Sequence, residues 1–179
     1  MRSGVELLQA ARSMSEAEVA LTFGHAGPSS AQGIERAALV AALLSSFTPA
    51  DAPLIRQLTR AEITAVNSAD AGCGDVLLAC CWLLFRLGYV EDSELVWRAK
   101  EINFDSHSYI DSVFLIPQGA QATAEFARSQ GLSDLVTWVE GDWLRDPEEH
   151  VREWRTGSFF ATVPPAEAPA AELAAWLRQ

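Results

Sequence analysis

DVLLACCWLLFRL, residues 75–87, carries no polar side chain between Val76 and Phe85 except two thiols and an indole nitrogen. A helix that is apolar on all sides, rather than along one stripe, is covered on both faces by other elements. Gly88 follows it, as glycine does just past a helix end. The segment predicts the central helix of an all-α fold, and its flanks are read by how they cover it.

Upstream, IERAALVAALLSSF predicts a helix from Ile34 to Phe47, ended by Thr48 and Pro49. Asp51 is expected to cap the next helix, with Pro53 in its first turn and Leu54, Leu58 and Ala61 at helical spacing. GVELLQAARSM and SEAEVALTF supply two shorter helices. Residues 24–33, GHAGPSSAQG, predict a flexible loop.

Downstream, EDSELVWRAKEI places Leu95, Ala99 and Ile102 on one stripe. QATAEFARSQ, LSDLVTWVEGDW and DPEEHVREW continue the helical pattern, with Ser133 and Asp146 as expected caps. Residues 157–168 read as an irregular connection to a C-terminal helix that docks through Trp176.

Helix pairs beginning near residues 34, 73, 106 and 133 suit stacked antiparallel helical hairpins, a degenerate repeat-like array. An irregular helical bundle is the alternative. SVFLI, LVTWV and FFATV are strand-like pieces that admit a small sheet in the second half. At 179 residues, a single all-helical domain over 1–179 is expected.

The formal charge is 13 − 24 = −11. Such a field opposes nucleic-acid phosphates and anionic lipid and favours a cationic protein surface, so a basic protein partner is expected, with no nucleic acid and no membrane. No leader or membrane-length apolar run is read, which gives a cytoplasmic expectation. Cys80 and Cys81, adjacent within the central helix, are expected to be reduced packing residues.

KEINFDSHSYID, residues 100–111, gathers the only lysine with an asparagine, two aspartates and a histidine. Asp105 is expected to cap a helix carrying Ile110, Val113 and Phe114, with Phe104 and Tyr109 as a hydrophobic staple. His107 and Asp111, four apart, would then share a face suited to a metal pair or to proton transfer. The structural reading is a polar joint in which Lys100 meets Asp105 or Asp111 and fixes the angle between two helices, with Asn103 pinning the connection.

Asp105, His107 and Asp111 are thus the catalytic and metal candidates. Cys73, between two glycines at a helix start, is a candidate reactive thiol opposed by the nearby Asp75. The binding candidates are Trp97, Lys100, Asn103 and Tyr109, together with Trp138, Trp143 and Trp154 among acids that include Glu148 and Glu149. No cofactor is expected: GHAGPSS lacks Walker spacing and a lysine, and no Cys or His pair stands at zinc spacing near residues 100–111. The leading functional expectation is a non-enzymatic, acidic protein-interaction module. A hydrolase centred on Asp105, His107 and Asp111, or a small-molecule or peptide receptor with a pocket near Trp97 or Tyr109, are the alternatives.

Overall fold

The computed structural model describes residues 2–24, 27, 30–69, 74–141, 147–157, 159 and 163–177. Among them, eleven α-helices run in chain order. They are α1 (Gly4–Arg12), α2 (Glu16–Phe23), α3 (Ala31–Ser46), α4 (Ala52–Ala69), α5 (Asp75–Leu87), α6 (Ser93–Lys100), α7 (Phe104–Tyr109), α8 (Ala120–Gln130), α9 (Ser133–Glu140), α10 (Pro147–Thr156) and α11 (Ala170–Trp176). Short 3-10 turns, Pro49–Asp51, Val90–Asp92 and Ser112–Leu115, join some of them.

The fold is all-helical, an irregular bundle built of stacked hairpins. Among the described residues the strand-like exception is an isolated bridge between Ser3 and Pro169. Of the strand-like pieces, SVFLI supplies the 3-10 turn Ser112–Leu115 and LVTWV lies inside α9. Most of FFATV lies outside the described residues.

α5 is the covered helix its composition requires: Val76 through Leu84 are all buried. Gly88 ends it at φ +80°, a conformation that costs glycine little, and its N–H bonds the Leu84 and Phe85 carbonyls. Burial pushes the Cys80 thiol well above its ordinary value, so Cys80 and the equally buried Cys81 act as packing residues.

α4 pairs with α5 and α8 with α9, while α3 forms a second centre covered by α1, α2, α5 and α11. Gly4 shows how closely α1 approaches α3, since a Cβ there would stand 2.8 Å from the Ala38 carbonyl and 2.9 Å from Leu173. α11 docks mainly through Leu173 and Ala174, with Leu177 just after it, all buried, while Trp176 is only partly covered.

Several helix starts differ from expectation. α3 begins at Ala31, inside the stretch expected to be loop, because Ser30 accepts the Gly33 amide at 3.0 Å and caps it. Ser133 is the first residue of α9, with no side-chain cap before it. The expected cap Asp146 lies outside the described residues.

Asp51 ends a 3-10 turn instead of capping α4. Its carboxylate accepts the Thr48 amide at 2.8 Å and both Nε and Nη2 of Arg12 at 2.8 Å each. That guanidinium, helped by Thr48, holds the Asp51 carboxyl below its usual range against the opposing effect of burial. A carboxyl whose folded value is depressed stabilises the fold above its unfolded pKa, near 3.9, and loses that contribution as pH falls through the folded value. Urea unfolding of Asp51→Asn below about pH 4 is expected to show a shallower loss of stability with acid than the parent.

Candidate functional site

Residues 100–111 form a joint between α6 and α7, but with different partners from those the spacing suggests. Lys100, at the end of α6, is 1 % exposed. Its Nζ donates to the carbonyls of His107 at 2.7 Å and Ile110 at 2.5 Å, and lies 5.7 Å from the Trp138 ring centre. A lysine ammonium has three donors and no acceptor, so two carbonyls at a helix end and an aromatic face suit its burial. The clamp between consecutive helices is present, with backbone carbonyls serving as acceptors.

Asn103, not Asp105, caps α7: its Oδ1 accepts the Ser106 amide at 2.8 Å. Phe104 is the first helical residue and 83 % exposed, so it forms no staple with Tyr109. Asp105, exposed in the first turn, supplies only favourable charge near the helix start. Asn103→Ala is expected to lower the unfolding free energy by about 1 kcal/mol and Asp105→Ala by a few tenths. Urea titration of the two variants distinguishes them, and equal losses would reverse the assignment.

His107 and Asp111 do not share a helix face, because Ile110 leaves the helix with ψ 117°. His107 Nδ1 stands 2.9 Å from Glu101, and its ring meets Trp138 edge-on at 4.7 Å. Asp111 instead caps the turn Ser112–Leu115, accepting the Val113 amide at 3.0 Å. It also accepts the Trp154 indole N–H at 2.8 Å and lies 3.4 Å from His150 Nδ1. Asp111 therefore anchors α10, a helix that has no buried residue. Among the described residues, no group of three His, Cys, Asp or Glu side chains is placed to hold a metal ion.

The tryptophans expected as binding anchors are turned into internal contacts. Trp97 and Trp138 pack at 5.8 Å, and Trp154 lies 4.9 Å from Phe114 and 6.0 Å from Trp82. Glu148 and Glu149 are exposed on α10, Glu149 pairing with Arg152. Cys73 and Trp143 lie outside the described residues.

What remains outward on α7 is an arc. At about 100° per residue, Phe104, Ser108, Asp105 and Tyr109 span roughly 140° of the helix in that order, and all four are exposed. Tyr109, 42 % exposed, donates its hydroxyl to Asp75 at 2.6 Å, and the exposed Glu101 adds a third carboxylate close by in sequence. The result is two aromatics separated by acid, held by the Lys100 clamp.

Phe104 is the residue that sequence reasoning missed as a binding candidate. Its signal is the phase of Ser106 and Ile110, which face inward and so turn Phe104 out once Asn103 is taken as cap. Two cavities, of about 470 Å³ beside Arg12 and Asp51 and about 280 Å³ beside Arg86 and Trp154, include neither Trp97 nor Tyr109. No helix among the described residues is long and apolar enough to cross a membrane. Comparison with protein-family models, curated proteins and solved structures gives no match to this chain.

Proposed function

We propose that this protein is a non-enzymatic interaction module that binds a basic protein segment on the outward arc of α7. The observation that carries the reading is Phe104, 83 % exposed, with Asp105 next to it and Glu101 three residues before it in sequence. A large aromatic in water is unfavourable by its apolar area, and aromatics are the side chains that most often dominate interfaces. The flanking carboxylates and the net charge of −11 select a partner that presents Arg or Lys around an apolar residue. Buried Lys100 supports the reading by fixing α7, so that little ordering is needed on binding.

The test is a panel of synthetic helical peptides combining Leu with Arg or Lys, measured by calorimetry at low and high salt. Binding is expected to weaken with salt and to fall about tenfold, roughly 1.4 kcal/mol, in Phe104→Ser. Unfolding of that variant should match the parent, since Phe104 contributes little to the core. Salt-independent binding, or full affinity in Phe104→Ser, would remove α7 as the recognition surface.

A further inference from the structure

The cavity of about 280 Å³ formed by residues of α3, α5 and α10 reverses the charge of the chain that encloses it. Arg86 and Arg155 line it, with Trp82, Trp154, Leu44 and Val163 as its apolar walls, and no Asp or Glu among its lining residues. Neither arginine makes an ion pair among the described residues. Arg60 and Arg98, both exposed, likewise make no ion pair among the described residues, whereas Arg2, Arg12, Arg36, Arg56, Arg128 and Arg152 each meet a carboxylate. Arg86 and Arg155 are both solvent-exposed, and what distinguishes them is that they share one cavity whose lining residues include no carboxylate.

Arg86 is also held in place. Its guanidinium carbon lies 5.4 Å from the Phe47 ring centre and 5.5 Å from that of Trp82. Contact with two aromatic faces positions the planar cation while leaving its N–H groups without a hydrogen-bond partner among the described residues. Trp82 and Trp154, with ring centres 6.0 Å apart and planes at 32°, give the cavity an aromatic wall.

A guanidinium stays charged at every accessible pH and matches a carboxylate or phosphate through paired N–H donors. At about 30 Å³ for each water in the liquid, the cavity suits a ligand on the order of ten non-hydrogen atoms. We infer that this cavity binds a small organic anion, its flat apolar body against Trp82 and Trp154 and its carboxylate or phosphate head on Arg86 and Arg155. The site is independent of the α7 surface, and neither reading requires the other.

Calorimetric titration with phenylacetate and with phenyl phosphate tests it, with phenylacetamide as the neutral counterpart and inorganic phosphate as a head group without a body. At least one aromatic anion is expected to bind saturably, and the stronger of the two identifies the preferred head group. Phenylacetamide and inorganic phosphate should each bind at least tenfold more weakly. Arg155→Gln, on an exposed helix, and Arg86→Gln should each weaken the anion at least tenfold; should loss of the aromatic contacts unfold the latter, the former decides alone. The assignment is overturned if neither anion binds at millimolar concentration, if phenylacetamide binds as well as the anions, or if Arg155→Gln binds them unchanged.

Discussion

Glu62→Leu is expected to lower the unfolding free energy by about 3–5 kcal/mol, a large share of the roughly 5–15 kcal/mol that holds a domain together. Arg36 is 0 % exposed, and its Nε donates to Glu62 at 2.5 Å while Nη1 donates to the Phe23 carbonyl at 2.7 Å. These contacts tie α3 to α4 and to the end of α2. Without the carboxylate, a permanent positive charge stays buried and loses the acceptor that its Nε meets. The double variant Arg36→Met/Glu62→Leu is expected to recover much of the loss, because replacing both charges removes their desolvation together. Urea unfolding of the two single variants and the double variant measures this. Additive losses would mean that the pair is not coupled as the geometry implies.

Lys100→Met is expected to cost about 2–4 kcal/mol. The thioether fills most of the space but donates nothing, so the His107 and Ile110 carbonyls lose a charged donor, at roughly 1–3 kcal/mol for each group left unsatisfied. Relief from burying an ammonium offsets part of that. The loss should be local as well as global, with hydrogen exchange quickening first at the amides of α7. Because α7 carries Phe104 and Asp105, the same substitution should also weaken peptide binding. Parent-like exchange across residues 104–110 would show that the lysine does not hold this helix.

The parts of the fold legible in sequence are those set by local rules. The uninterrupted apolar run and Gly88 specify α5 and its end without reference to any neighbour. The α6–α7 joint was legible as a lysine placed next to capping residues, but its partners were not. Asn103 and Asp105 both cap well, and either choice leaves a credible helix. The phase is settled by burial, since capping at Asn103 turns Ser106 and Ile110 inward and brings the end of α7 to Lys100. Asp111 illustrates the same limit: its position four after His107 assumes a continuous helix, and Ile110 breaks it. The Arg36–Glu62 pair spans 26 residues and two helices, so no local pattern points to it. The Arg86 and Arg155 cavity likewise exists only after α10 lies against α3 and α5.

The placement of α11 on α3 affects how the chain matures during synthesis. α3 ends at Ser46 and its cover begins at Ala170, so at 5–20 residues per second the ribosome makes the two on the order of ten seconds apart. During that interval the face of α3 that receives Leu173 lacks its native cover, and the nascent chain carries an uncovered apolar surface. Closure of this face, marked by the bridge between Ser3 and Pro169, waits until α11 has been made.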